Sequence, residues 1–297
     1  MHINFLKHRK IYFIFSGIMI MASLISLVIF GLEPGIDFTG GSILEIEYRD
    51  VRPSNQEIRV NLSGLDLGEV YVQPTNERGV IIRMKDISEE THQEIIQQLS
   101  ENNELEELRF ESIGPVIGQE LRGKTKIVVV LSLLAMVLYI AFAFRRLSFP
   151  AKSWQYGVAS LISLVHNVLI PLGIFSYLGE FYGVQITIPV IVALLTVLGY
   201  SINDTVVVFD RVRENLLKGT GKDYEETVDL SLNQTLTRSI NISLTTLFVL
   251  LAIFFLGGET LKYFALALIL GIIFGTYSSI CLATPALVSW LKLQKRI

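Results

Sequence analysis

The chain is poor in the residues that build covalently or metal-held scaffolds. It has one cysteine, Cys281, in 297 residues, so no intrachain disulfide can form. Cys281 falls in an apolar block and reads as a small buried hydrophobe. The four histidines, His2, His8, His92 and His166, sit in separate regions without the short spacing of a metal site, so no metal is expected. No Ser/His/Asp or Cys/His arrangement stands out, which leaves no centre for covalent catalysis; the chain is not expected to be an enzyme. Charge is scarce as well. Asp, Glu, Lys and Arg make up 18% of the residues and nearly cancel, to −3. That balance gives no case for nucleic acid.

What the chain does have is long apolar runs. It is 51% hydrophobic with a mean hydropathy of +0.51. Six runs reach the roughly 17 to 25 residues that cross a bilayer as a helix. They lie near Ile11–Leu32, Thr125–Phe144, Trp154–Leu178, Ile186–Phe209, Ser239–Leu256 and Leu261–Leu291. The first exceeds the ~7 to 15 residues of a signal-peptide core and no Ala-x-Ala site follows, so it is expected to stay as an anchor. The last is long enough to tilt or to run on as an interfacial helix.

Lys and Arg in the short flanks predict orientation. They collect at Lys7, Arg9 and Lys10, at Arg145, Arg146 and Lys152, from Arg211 through Arg213, Lys218 and Lys222 to Arg238, and at Lys292, Lys295 and Arg296. Gly179–Gln185 has none, and Gly257–Thr260 has none before Lys262. Both termini are therefore expected in the cytoplasm. The expected organisation is residues 1–32 as the cytoplasmic N-terminus and first span, 33–123 as an outer domain, and 124–297 as the remaining five spans with cytoplasmic loops and C-terminus.

The outer region is patterned as a small α+β domain. Ser42–Tyr48 alternates as a strand. Ser54–Leu62 has helical spacing. Glu69–Val72 and Val80–Met84 read as strands around the turn-rich Pro74–Gly79. A helix is expected from Ser88, with Ser88 or Asp86 as its cap, through Leu99, and a last strand over Leu105–Ser112. Strands interleaved with two helices suggest a ferredoxin-like βαββαβ unit.

One carboxylate stands inside an apolar run, Asp204. Placing it there costs about 2.5 to 3.5 kcal/mol on insertion scales, and such residues commonly serve ion or proton paths. The plain alternative is a neutral or paired packing residue. Thr196, Tyr200 and Asp204 share a helix face by their i, i+4, i+8 spacing. Arg238, Asn241 and Thr245 share a face on the fifth span. If Arg211 marks the membrane surface, Asp204 lies about 10 Å deep at 1.5 Å per residue. Arg238 could reach inward or snorkel outward. His166-Asn167 in the third span reads as a hydrogen-bonded structural histidine or as part of a proton path.

Other motifs read as packing devices. Ala267, Gly271, Gly275 and Ser279 repeat every four residues and invite close approach of a helix, from the same bundle or from a partner. Gly118-Gln-Glu-Leu-Arg-Gly-Lys-Thr125 fits the P-loop pattern, but no parallel sheet precedes it; a polar juxtamembrane hinge is the plainer reading. The glycine-rich junctions 35–41 and 114–123 are expected to be hinges, with Gly40, Gly41, Gly114 and Gly118 as the flexible points. Asp223-Tyr-Glu-Glu226 looks like a capped helix start, continuing as an amphipathic stretch on the membrane surface.

Four stretches together resemble the SecF family of bacterial protein-export subunits. These are Gly35-Ile-Asp-Phe-Thr-Gly-Gly-Ser42, Gly114-Pro-Val-Ile-Gly-Gln-Glu-Leu121, Gly199-Tyr-Ser-Ile-Asn-Asp-Thr-Val-Val-Val-Phe-Asp-Arg-Val-Arg-Glu-Asn215 and Asn233–Thr246. Ser239 and Ile242 stand where threonines are expected. The resemblance implies a polytopic fold of the resistance-nodulation-division type in the bacterial inner membrane. It implies SecD, the SecYEG channel, YajC, translocating preprotein and membrane lipid as partners. It implies the proton gradient as energy source, with no cofactor. Asp204 and Arg238 match the family's proton-coupling positions, with Tyr200, Asn203, Asn241 and Thr245 as supporting polar residues. A small-molecule exporter subunit of the same superfamily, or a scaffold of the translocon that transports nothing, are the competing readings.

Overall fold

The computed structural model describes residues 3–101, 103–143, 145 and 151–294. His2, Phe144, Arg146, Lys295 and Arg296, invoked above, lie outside the described residues. In chain order the elements are α1 (Arg9–Ile29), α2 (Ile36–Thr39), β1 (Gly41–Tyr48), α3 (Asn55–Asn61), β2 (Tyr71–Pro74), β3 (Gly79–Met84), α4 (Glu89–Ser100) and β4 (Leu105–Ile113). Then follow α5 (Pro115–Ala143), α6 (Ser153–Tyr182), α7 (Ile188–Lys218), α8 (Tyr224–Leu256), α9 (Gly258–Ser278), a π-helical turn (Ser279–Ala283) and α10 (Thr284–Leu293). The chain divides into two compact units, one of residues 33–128 with 185–188, the other of 1–32, 129–184 and 189–297.

The smaller unit is a four-stranded antiparallel sheet in the order β2-β3-β1-β4, with α3 and α4 in the βαββαβ sequence. This is the expected ferredoxin-like arrangement. Its register follows from alternation: Leu44 pairs with Ile82 and Ile46 with Val80. Leu44, Ile46 and Tyr48 face one way and are buried with Ile58, Ile82, Ile95 and Leu99. Each such aliphatic side chain, fully buried, contributes roughly 1.5 to 3 kcal/mol. Helix starts are capped as the sequence suggests. Ser54 Oγ accepts from Glu57 N while Ser54 N donates to Glu57 Oε2, a complete capping box. Ser88, rather than Asp86, caps α4; Asp86 instead accepts from Ser112 Oγ.

The glycines of the two junctions lie together in this unit. Gly40 and Gly41 have φ of 75° and 132°, which an L side chain rarely adopts. A Cβ on Gly118 would stand 2.7 Å from Gly40 N, and one on Gly40 would stand 2.8 Å from Pro115 Cα. Close backbone approach therefore requires glycine here, beyond any need for flexibility. Asp37 Oδ2 accepts from Ile188 N at 2.8 Å, and Gly35 N donates to Ile186 O.

The larger unit holds the spans. Among the described residues, six helices are long and apolar enough to cross a membrane. The structure brings α1 against α6, and α9 against both α6 and α8. More than half of the apolar stretch is buried in α6 and in the α9–α10 helix, but only 6% in α5 and 11% in α1. Those two helices present apolar surface outward, as lipid or another apolar partner requires.

The structure decides three readings. The small-residue stripe is spent inside this bundle: a Cβ on Gly271 would stand 2.4 Å from Val197, and one on Gly275 3.3 Å from Ser201. The stretch after Asp223 is no separate surface helix. It runs without a break into the fifth span as α8, because Tyr224, Val228 and Leu232 are buried in the bundle core. The P-loop-like segment lies within α5, where backbone N–H groups are already spent on the helix and cannot cradle a phosphate. At the Arg-rich end of the bundle, Glu225 pairs with Arg9 at 2.7 Å and Lys292 at 2.8 Å, tying α8 to α1 and α10.

A candidate functional site in the helix bundle

The spans carry a seam of small hydroxyl and amide side chains between α6, α7, α8 and α9. Asp204 sits in it, half-buried. Ser239 Oγ on α8 donates to Asp204 Oδ1 at 2.5 Å. Oδ2 is shielded from solvent and, among the described residues, has no hydrogen-bond partner. One turn away, Tyr200 Oη shares a hydrogen bond with Ser243 Oγ at 2.9 Å, and Ser243 meets Thr276 Oγ1 of α9 at 2.6 Å. Behind Asp204, Thr205 Oγ1 meets Ser279 Oγ at 2.8 Å, and both hydroxyls also reach Ser201 O. The π-helical turn that begins at Ser279 widens α9 at this level; such turns are frequent at functional sites.

The helix face that meets Asp204 is not the one spacing suggested. Arg238, Asn241 and Thr245 are exposed on the flank of α8, and Thr245 Oγ1 donates to carbonyls of its own helix. Asn203 is exposed on α7, and Thr196 donates to Val192 O. Among the supporting residues, only Tyr200 is brought into the seam. The face that turns inward is Thr235, Ser239 and Ser243, all buried. These three stand four apart, so a hydroxyl stripe was present in the sequence one residue out of phase with the one chosen.

Among the described residues no hydrogen bond or ion pair joins Arg238 to Asp204. Arg238 lines a cavity of about 280 Å³ with Asp210, Arg211, Arg213, Glu214 and Gln234. The α7 charges there pair along their own helix, Arg211 and Lys218 with Glu214 and Arg213 with Asp210. Exposed pairs of this kind are worth about 0 to 1 kcal/mol each. Among the described residues no cluster of His, Cys, Asp and Glu could hold a metal ion. Cys281 lies partly buried beside the seam.

Chemically, the arrangement offers a carboxyl group set among hydroxyls between the spans. One oxygen is oriented by a hydroxyl donor and the other is open to a proton. Hydroxyl groups, which both donate and accept, line its surroundings and suit either protonation state.

Among the described residues, six apolar spans, a ferredoxin-like unit between the first and second, and a carboxyl group in a hydroxyl-lined seam define a polytopic membrane protein. The model of the protein export membrane protein SecD/SecF C-terminal region matches residues 92–293. The SecD/SecF GG motif matches residues 25–50, around Gly40-Gly41. The protein translocase subunit SecF of Thermobaculum terrenum is 41% identical over 97% of this chain and 94% of its own. That of Vibrio alginolyticus is 38% identical over 99% and 91%. Among solved structures, SecDF of Thermus thermophilus, a translocon-associated membrane protein, matches with a TM-score of 0.85 and 34% identity. The match covers 99% of this chain and 39% of that one, so the chain spans well under half the length of the solved SecDF. The chain belongs to the SecF family.

Proposed function

We propose that the protein is a subunit of a protein translocase that couples proton movement to preprotein export. It does so with a SecD-type partner beside the SecYEG channel and YajC, in the bacterial inner membrane with both termini in the cytoplasm. The observation that carries this reading is the Asp204 carboxyl group, held by Ser239 through one oxygen and unpartnered at the other. A buried carboxyl group without a counter-charge is costly to ionise, and an approaching cation or entering water reverses that preference. Arg238, which follows Asp204 on the next span and lines the cavity with Asp210 and Glu214, is the cation that would favour release. Each proton crossing gains about 2.3 kcal/mol per 100 mV of membrane potential, enough to bias a conformational cycle.

The exposed flank supports a partner. Asn203, Asn241 and Thr245 are polar, at membrane depth, and exposed. Polar groups there call for protein or water rather than lipid. A second six-helix half, related by a pseudo-two-fold axis along the membrane normal, would supply that cover. The outer unit acts as the moving part, with the Gly40-Gly41 and Gly114–Gly118 segments as its pivots.

The test is export into membrane vesicles by the assembled complex. Asp204→Asn should leave co-purification with the partner intact and abolish the stimulation by a proton gradient. Arg238→Ala should weaken it strongly and Arg238→Lys less. Full gradient-driven export by Asp204→Asn would remove the reading.

A further inference from the structure

His166 is a further titratable side chain inside the bundle, and the scheme above leaves it unused. It is fully buried on α6. Its Nδ1 shares a hydrogen bond with Asn167 Oδ1 at 2.9 Å, and among the described residues its Nε2 has no hydrogen-bond partner. Asn167 Nδ2 in turn donates to Ser201 Oγ on α7 at 2.6 Å. Ser201 is the anchor of the group behind Asp204: its carbonyl accepts from Thr205 Oγ1 at 3.0 Å and Ser279 Oγ at 3.4 Å. Ser279 Oγ also faces the Asp204 carboxyl group. A continuous set of polar contacts therefore runs from His166 on α6, across α7, to the π-helical turn and back to Asp204.

Burying an imidazole and an amide in a span is expensive unless each polar atom is satisfied. A purely structural pair would be satisfied at both ends. Here the string is closed toward Asp204 and open at Nε2. The ring packs on Phe274 and Tyr277 of α9 at centroid distances of 6.0 and 5.9 Å. Tyr277 Oη donates to Tyr12 O and accepts from Ser16 Oγ of α1. The titratable neighbours on the surrounding elements are thus Tyr277, Tyr12 and, in the π-helical turn, Cys281. None carries a positive charge that would compete with His166.

We infer that His166 is a positioning residue for Asp204. Through Asn167 and Ser201 it holds the Ser279 and Thr205 hydroxyls in register with the carboxyl group, and so sets how readily Asp204 takes and gives up its proton. The side chain does not touch the transported proton's acceptor; it acts through the amide and hydroxyl groups between.

The inference rests on Asp204 as the proton-handling group, but its test does not use export. In the assembled complex, Asp204 is labelled with a hydrophobic carbodiimide, which modifies protonated carboxyl groups, and the label is located by peptide mass spectrometry across a pH series. His166→Leu and Ser201→Ala should each displace the labelling profile by about half a pH unit or more, a change of roughly threefold in rate at fixed pH. His166→Asn, which keeps a nitrogen near the Nδ1 position, should stay close to the native profile. If His166→Leu does not accumulate, Ser201→Ala decides alone. A native profile in Ser201→Ala, or equal displacement by His166→Asn and His166→Leu, would overturn the inference. Neither result would touch the reading of Asp204, which stands or falls on gradient-driven export by Asp204→Asn.

Discussion

Both units bury apolar side chains, but they differ in the polar groups buried among them. The smaller one encloses Leu44, Ile46, Ile58, Val80, Ile82 and Ile95, with few polar groups inside, chiefly Ser42, Glu45 and His92. The larger one encloses Ser163, His166, Asn167, Ser201, Thr205, Ser239 and Ser279, and turns large apolar residues of α1 and α5 outward. In water, burial of apolar surface drives folding and polar groups are left outside. Among apolar spans that drive is absent, and close packing with hydrogen bonds holds helices together. The same residue types therefore mean different things in the two units. An interior serine is an exception in one and a recurrent interhelical link in the other.

The sharpest way to break this comparison is to disturb close packing in the bundle. Gly271→Leu would place side-chain atoms where Val197 already stands, and should cut accumulation of the protein in membranes several-fold. Gly17→Leu, on α1 with nothing within 4 Å of its Cβ position, should accumulate normally. Equal levels, read by quantitative immunoblotting of membranes, would mean that helix packing is not what holds the larger unit together.

A smaller effect is expected from apolar truncation, and it should differ between units. Ile46→Ala in the buried face of β1 should cost about 2 to 5 kcal/mol, as cavity-forming changes do. Leu131→Ala, on an exposed stretch of α5, should cost less than about 0.5 kcal/mol. Native-state proteolysis of the intact chain in mild detergent reads both. A costly Leu131→Ala would show that α5 is packed against a partner even in the purified protein.

The smallest effect sharpens the water-facing side of the comparison. Ser54→Ala should cost about 1 kcal/mol by removing the cap of α3. Hydrogen bonds from the Ser54 backbone N–H and then from its side chain hold the Glu57 carboxyl group below the ordinary glutamate range. That contribution is fully present above the unfolded value, near 4.3, and is lost as pH falls through the lower folded value. The variant's Glu57 should titrate closer to an ordinary glutamate by NMR. An unchanged titration would mean that the capping box does not persist in solution.

Period and punctuation made the smaller unit legible. Strand alternation over residues 42–48, the Ser54 and Ser88 caps and the 74–79 turn lead directly to its element order. The spans were legible by length, and Asp204 by its cost. The seam was not, because serine and threonine carry no signal by hydropathy. A helical stripe can be read at spacings of three or four and in several phases: Arg238, Asn241 and Thr245 make as good a stripe as Thr235, Ser239 and Ser243. Choosing between them requires knowing where α7 lies. The Gly271 stripe was visible, but whether it served this bundle or a partner depended on the position of Val197, far away in the chain. The continuity of α8 past Asp223 was hidden for a similar reason: an amphipathic stretch looks alike on a membrane surface and against a bundle.

The central claim is that the polar interior of the bundle exists to handle protons at Asp204. It is tested most directly by trapping a pH-sensitive dye inside vesicles that contain the assembled complex and imposing a membrane potential. The native complex should acidify the interior when the potential is inside negative. Asp204→Asn, at the same density in the membrane, should show only the leak of protein-free vesicles. Proton entry by Asp204→Asn at the native rate would contradict the account.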